Sequence, residues 1–280
     1  MHTHVYEPTD PRLGRHVQHD PRSLRYAHGV LPRTAIKSVD WQRRVPHFDQ
    51  GDLGSCTGNA AAGLLATDCS TRTGLTSVTV SGTVLPVDET LAVQLYSLAT
   101  QLDEFRGEWP PDDTGSSGLG AAKALVKLGL AGSYSHAFTL SALKSALQTG
   151  PVMVGTVWLD SMFETDADGY VIVDRKSPVA GGHEYVISAY DADKQRFRLD
   201  NSWGDGWGAD GSAWYSQADL QWLLSQDGDV TVPAWATVPT PPPTPTPAAV
   251  DPRLVQAATL ALQLDGLMQA WAIDNHVNGA

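Results

Sequence analysis

The stretch Gln50–Gly63, QGDLGSCTGNAAAG, decides the fold, because in it a glycine-rich loop leads into a cysteine and a run of small residues. If Cys56 begins the following helix, its thiol lies in the positive field of the helix N-terminus, which favours the thiolate. The glycines before it let the backbone approach a bound molecule closely. The competing interpretation is an inert, buried cysteine, which is the usual role of a lone cysteine. Cys69 is expected to be a core residue, about 20 Å further along one helix.

Two downstream residues supply what a reactive thiol needs. His183 follows a glycine pair and enters an apolar strand in GGHEYVISAYD, where it can act as a base. Asn201, in RLDNSWGDGWGADG, can orient the imidazole ring, and Trp203 can shield that contact from water. Taken singly, the two segments are also compatible with an ordinary strand histidine and a glycine-rich turn with packed aromatic residues. Glu184 is expected to point to the opposite face of the strand from His183, so we assign it no catalytic role.

In this order and spacing, the motifs resemble the papain-like cysteine peptidases. The resemblance covers about residues 31–232 and is carried by SVDWQRRVPHFDQGDLGSC, GPVMVGTVW, GGHEYVISAYD and NSWGDGWGADGSAWY. It is strongest to the bacterial and phage branch, in which Leu-Gly-Ser-Cys-Thr surrounds the nucleophile. Leu53 and Thr57 stand where the wider family usually has a disulfide-forming cysteine and a tryptophan. The resemblance therefore implies a site without that disulfide and without one aromatic residue of the cleft floor.

The resemblance also implies a mechanism on named residues. Cys56 would attack a peptide carbonyl, His183 would be its acid–base partner, and Asn201 would hold the imidazole ring. The side chain of Gln50 and the backbone N–H of Cys56 would stabilise the oxyanion. A peptide or protein is the expected substrate, and neither a metal nor a cofactor is expected. The sequence DADG at 166–169 predicts a hairpin turn rather than a calcium loop.

The predicted fold class is α+β, because helical patterns precede a run of strands. Helices are predicted over 59–71, 88–105, 119–128 and 140–148, and strands over 152–158, 170–173, 184–190, 196–199 and 213–215. The resemblance implies two lobes, with an N-terminal helical lobe and a C-terminal β-barrel-like lobe. It places the active site in the cleft between them.

The predicted domain order begins with a basic arm, residues 1–30, followed by the peptidase domain at 31–232. Residues 1–44 carry eight basic and four acidic residues, although the whole chain has a formal net charge of −12. Such an arm either lies along its own acidic domain or binds nucleic acid or another anionic surface. We favour the first interpretation and expect no nucleic-acid or membrane partner. The hypothesis is that the arm crosses the cleft, in which case its removal raises activity.

The C-terminal part is predicted to be a proline-rich linker, residues 233–250, followed by a helix over 251–280. Pro239–Pro247 has six prolines in nine residues, which is typical of a stiff extended spacer. The helix has one apolar stripe, formed by Leu254, Ala257, Ala261, Leu264, Met268 and Trp271. Two interpretations stay open: this helix packs on its own domain, or segment 251–275 mediates self-association or binds a protein partner.

Other features of the sequence limit the function. The N-terminus lacks the apolar region of a Sec signal peptide. The sequence also contains no run of 18 apolar residues, which is the length that a membrane-spanning helix needs. We expect a cytoplasmic or virion-associated protein rather than a Sec-secreted one. The alternative to a peptidase is a structural or assembly protein of a virion on a peptidase fold, docked through its C-terminal helix. An amidase acting on peptidoglycan cross-links is less favoured, because no wall-binding repeat accompanies the acidic body.

Overall fold

The structure is a computed structural model that describes residues 1–235. Its α-helices are α1 (Cys56–Ala66), α2 (Glu89–Leu102), α3 (Gly118–Lys127), α4 (Leu140–Leu147) and α5 (Gln217–Leu224). Its strands are β1 (His2–His4), β2 (Val17–His19), β3 (Val39–Asp40), β4 (Ser77–Val80), β5 (Thr83–Pro86), β6 (Ala131–His136), β7 (Val152–Leu159), β8 (Val179–Asp191), β9 (Arg196–Asp200), β10 (Ser212–Ser216) and β11 (Asp229–Trp235). The α+β prediction is confirmed.

One mixed-length antiparallel sheet dominates the C-terminal half. Its order is β10-β9-β8-β7-β11-β6, and the short β3 pairs with the far end of β8. Within residues 1–235 the two edge strands β10 and β6 do not pair with each other, so the sheet is open rather than a closed barrel. The hairpins β1–β2 and β4–β5 form two smaller sheets.

The central strands contribute to two hydrophobic cores because successive side chains point to opposite faces. Met153 of β7 and Val186 of β8 join the core built around α1, α2 and α3. Their neighbours Val152, Val154 and Ile187 face the other core, which includes residues of α4 and α5. One face of the sheet thus packs against the helical lobe, and the other face packs against the core that includes α4 and α5.

Helix α1 begins at Cys56, three residues before the predicted start at residue 59 and at the position supposed for the cysteine, and all eleven of its residues are buried. Gly58 is required there, because a Cβ at that position would lie 2.2 Å from the Ala92 carbonyl oxygen of α2. The helix ends at Ala66, earlier than predicted. The side chain of Arg72 donates to the carbonyls of Leu65 (2.9 Å) and Leu64 (3.2 Å) at its C-terminal end. This cap comes from outside the helix, so the helical pattern of the sequence did not indicate it.

The other predicted helices and strands are present with shifted ends, except at residues 170–173. Asp88 caps α2 by accepting from the Leu91 N–H at 3.2 Å. Residues 170–173 were predicted as a strand but form only isolated bridges, from Tyr170 to Trp214 and from Val171 to Thr165. The turn predicted at 166–169 is present, with Gly169 at a φ of +79° and its N–H donating to the Asp166 carbonyl. The hairpin β4–β5, strands β6 and β11 and helix α5 were not predicted.

The arm and the rest of the described chain form one compact unit. Strand β11 extends to Trp235, so residues 233–235 of the predicted linker belong to the sheet. The remainder of the linker and the predicted helix 251–280 lie outside the described residues. Among the helices of residues 1–235, none combines the length and apolar character needed to cross a bilayer.

Candidate active site

Cys56 is the first residue of α1 and is completely buried. Burial raises the pKa of its thiol to about 12, although backbone N–H groups of Glu184, Gly14 and Thr57 lie against the sulfur and favour the thiolate. The N–H of Glu184 belongs to the residue next to His183, so the thiol lies beside the histidine segment of β8. The thiol is therefore protonated at neutral pH in this arrangement.

His183 is also completely buried, and Asn201 holds its ring. The distance from His183 Nε2 to Asn201 Oδ1 is 2.7 Å, and the same oxygen accepts the Ser202 N–H at 2.8 Å. Because Oδ1 is an acceptor, Nε2 of the neutral ring carries the proton and Nδ1 keeps its lone pair. Nδ1 has no hydrogen-bond partner within residues 1–235 and is therefore free to take a proton.

Two tryptophans enclose the His183 ring. The centroids of Trp158 and Trp203 each lie 4.8 Å from that of the imidazole. Burial lowers the pKa of His183 to about 4 and outweighs the hydrogen bond that the ring donates to Asn201, which raises that pKa. With the arm in place, the site thus holds a neutral thiol and a neutral imidazole.

Gln50 lies in the loop before α1 and contacts the asparagine segment. Its Oε1 accepts the Ser202 hydroxyl at 2.7 Å, and its Nε2 donates to the carbonyls of Leu53 (2.6 Å) and Arg12 (3.1 Å). Arg12 belongs to the N-terminal arm, so the amide of Gln50 faces a peptide carbonyl in the cleft. His183 and Asn201 thus contact each other directly. Gln50 contacts Ser202, the neighbour of Asn201, and Cys56 contacts Glu184, the neighbour of His183.

The N-terminal arm occupies the cleft as an extended peptide. The N–H of Arg15 donates to the Gly182 carbonyl at 3.0 Å on the sheet side. On the helical side, Ser116 donates to the Gly14 carbonyl at 2.8 Å and accepts the N–H of His16 at 2.7 Å. The arm forms two isolated β-bridges, Gly14 with Gly182 and Arg15 with Ser116, and in both the arm runs parallel to its partner segment. The cleft therefore binds a peptide backbone from both of its walls.

Gly14 is the tightest point of this contact. A Cβ on Gly14 would lie 1.8 Å from the carbonyl oxygen of Gly54, in the loop that precedes Cys56. The preceding residue, Leu13, is completely buried in the core of the sheet lobe. The arm is therefore built into the cleft, directly over the thiol.

Sequence reasoning missed the residues that hold the arm. Ser116 lies in DDTGSSGLG and Gly182 in the glycine pair before His183, but neither sequence fixes which residue pairs with a peptide. The one signal in the arm was Leu13-Gly14-Arg15, an apolar residue and a glycine in a polar segment. Within residues 1–235, no group of three His, Cys, Asp or Glu side chains is arranged to hold a metal.

Comparison with solved structures identifies the architecture. A cysteine protease from Xylella fastidiosa, xylellain, superposes with a TM-score of 0.59 at 18% identity, covering 81% of this chain and 97% of that one. The chain has a papain-like fold. This papain-like architecture also matches procathepsin B S9 from Trypanosoma congolense, with a TM-score of 0.55 at 11% identity over 81% and 88% of the two chains. Procathepsin L 3 of the Tenebrio molitor larval midgut gives 0.55 at 17% identity over 80% and 76%.

The papain-like fold confirms the two-lobed architecture expected from the sequence. The sheet of the second lobe is open, although a barrel-like lobe was expected. No family model matches the sequence, and no curated protein matches it either. The likeness therefore concerns the fold alone.

Proposed function

We propose that this chain is a cysteine peptidase that its N-terminal arm holds inactive. The observation that carries the proposal is a cleft that binds an extended peptide from both walls, directly over a buried thiol. The imidazole of His183, held by Asn201 at 2.7 Å and one residue before the Glu184 N–H that contacts the thiol, supplies the acid–base group that thiol chemistry on a peptide requires.

In the proposed reaction, Nδ1 of His183 takes the proton of Cys56, and the thiolate attacks the carbonyl carbon of the substrate. The negative charge moves to the carbonyl oxygen, where the Gln50 amide and the Cys56 N–H stabilise it. The imidazolium then gives its proton to the leaving amine, and a thioester remains. His183 next removes a proton from water, whose oxygen attacks the thioester and releases the acid and the thiol.

The arm supports a latent state in two ways. Its backbone fills the place of a substrate, and its presence removes water from the thiol and the imidazole. Burial raises the pKa of Cys56 and lowers that of His183, so both changes oppose the ion pair that attack requires. Release of the arm is expected to reverse both shifts.

Labelling with an epoxide-type thiol inhibitor tests the proposed nucleophile. The experiment uses the chain with Gly14→Ala, because the 1.8 Å approach to Gly54 leaves no room for a methyl group with the arm in the cleft. We expect one label per chain, lost with Cys56→Ala and retained with Cys69→Ala, measured by intact mass. Cys69 is the matched control because it is also free and buried.

Labelling that disappears with Cys69→Ala, or a folded chain with no labelling at all, would contradict the proposal. The second result would favour the binding or assembly protein considered as the alternative. Circular dichroism of each variant checks that it is folded, so that loss of structure is not mistaken for loss of the nucleophile.

Asn201→Ala tests the orienting role of the amide. In the Gly14→Ala chain we expect kcat to fall by about 100-fold with little change in KM, because the ring loses its preferred tautomer but the peptide contacts remain. Asn59→Ala is the control, since Asn59 is a buried asparagine of α1 that bonds to Ser55 and not to His183. Equal losses in both variants would assign Asn201 a purely structural role.

A further inference from the structure

Three adjacent strands form an acidic pocket beside Cys56. In the sheet register, Gly155 of β7 pairs with Glu184 of β8 on one side and with Asp229 of β11 on the other. Glu184 is completely buried, and the Asp229 side chain is 15% exposed. Two carboxylates thus flank a residue that has no side chain of its own.

The missing side chain creates the space of the pocket. A Cβ on Gly155 would lie 2.4 Å from Glu184 Oε2, 2.7 Å from Arg15 Nε and 2.9 Å from Asp229 Oδ2. The guanidinium of Arg15 therefore shares with the two carboxyl groups the space that Gly155 leaves, and it pairs with Asp229. Gly118, at the start of α3, forms the opposite wall, because its Cβ would lie 2.6 Å from Asp229 Oδ1 and 2.7 Å from Glu184 Oε1.

Arg15 is held in the pocket by charge and hydrogen bonds. Its side chain is completely buried, forms an ion pair with the Asp229 carboxylate and donates to the Asp227 carbonyl at 2.7 Å. Neither Glu184 oxygen has a hydrogen-bond partner in the described part of the chain, and neither do Arg15 Nε and Nη1. A buried carboxylate of this kind is costly unless a cation lies beside it.

We propose that this pocket selects an arginine side chain of the peptide substrate, and that Glu184 and Asp229 are the specificity-determining residues. The inference rests on the proposed peptidase function, because Arg15 of the arm then occupies the place of that substrate residue. Gly14 lies against the thiol, so the selected residue is next to the one at the reacting bond. The guanidinium fits better than an ammonium, because Nη2 of Arg15 contacts the Asp229 carboxylate and the Asp227 carbonyl while the N–H groups of Nε and Nη1 remain available to Glu184.

Peptide binding tests the pocket without requiring catalysis. The full chain with Gly14→Ala and Cys56→Ser is titrated by calorimetry with a capped peptide of residues 9–18, TDPRLGRHVQ. Matched peptides carry Arg15→Lys, Arg15→Leu or Arg15→Glu. We expect the arginine peptide to bind about 30-fold more tightly than the leucine peptide, with lysine between them and glutamate weakest.

Charge-neutral variants of the protein assign this preference to the pocket. Asp229→Asn and Glu184→Gln are expected to remove most of the preference for arginine over leucine. Asp227→Asn is the matched control, because it removes the same charge from an adjacent side chain that is 54% exposed and keeps the carbonyl that Arg15 contacts. An equal loss of preference in the control, equal affinity of the arginine and leucine peptides, or no binding by any peptide would each overturn the proposal.

Cleavage separates this proposal from the proposed function. With Cys56 intact, the Gly14→Ala chain is given dipeptide amides with arginine or leucine next to the residue at the cleaved bond. Arginine-selective binding without any cleavage would retain the pocket and contradict the peptidase. Cleavage of both substrates at equal kcat/KM would retain the peptidase and contradict the pocket.

Discussion

Gly14→Ala is expected to raise the proposed peptidase activity of the chain by about 100-fold. The added methyl group would lie 1.8 Å from the Gly54 carbonyl oxygen; the direction of the methyl is fixed by the Gly14 backbone, and the oxygen is itself a backbone atom. Such overpacking costs about 3 kcal/mol at the upper end, which corresponds to about 100-fold in the ratio of open to closed chains. The measurement is the initial rate on a fluorogenic arginine peptide amide.

The control is Gly29→Ala, because a Cβ on Gly29 would have no atom within 4 Å. This variant changes the same residue type in the same arm and should leave the rate unchanged. A point substitution is preferable to deletion of the arm, since deletion would also expose the core around Leu13. A Gly14→Ala chain that is folded, labelled at Cys56 and no faster than wild type would show that the arm does not inhibit.

Arg15→Met should destabilise the chain by about 3 kcal/mol at neutral pH, because it leaves the buried Glu184 and the partly buried Asp229 without the cation beside them. Burial and the charge of Asp229 raise the pKa of Glu184, whereas Arg15 lowers it, so the substitution raises that pKa further. A carboxyl group whose folded-state pKa is raised contributes its full stability below the unfolded pKa and loses it as the pH rises. The deficit relative to wild type should therefore be larger at pH 8 than at pH 5.

Urea unfolding at the two pH values measures this difference in the free energy of unfolding. Arg25→Met is the matched control, because Arg25 is an exposed arginine of the same arm. It should change stability by less than about 0.5 kcal/mol at either pH. A deficit of Arg15→Met that grows as the pH falls would contradict the assignment of Glu184 and Asp229 as its partners.

The sequence predicted the local features of the site because each depends on neighbouring residues. Cys56 begins α1 after a glycine-rich loop, and His183 and Glu184 lie on opposite faces of β8, as strand alternation requires. The hydrogen bond from His183 to Asn201 joins residues 18 apart in the chain, and the resemblance to a known family suggested it. These predictions needed no knowledge of the sheet order.

The pocket could not be predicted in the same way. Glu184 and Asp229 face each other only because β7 pairs with both β8 and β11, and the sequence pattern did not indicate β11 as a strand. The arm was expected to cross the cleft, yet nothing in its composition placed Gly14 at the thiol or Arg15 between two acids. Pairings between distant segments depend on the whole fold, whereas periodicity reports only one element at a time.

The arm is joined to the domain by a stretch on the surface of the molecule. Leu24 is 66% exposed, Tyr26 59% and Val30 61%, so this part of the chain is accessible to cleavage by a protease. While the chain is intact, the tether keeps the arm at an effective concentration on the order of millimolar, and even a weak contact keeps the cleft filled. One cut in this stretch would turn the arm into a separate peptide, which dilution carries away. The proposed inhibition, which is reversible while the arm is tethered, would then be lost irreversibly.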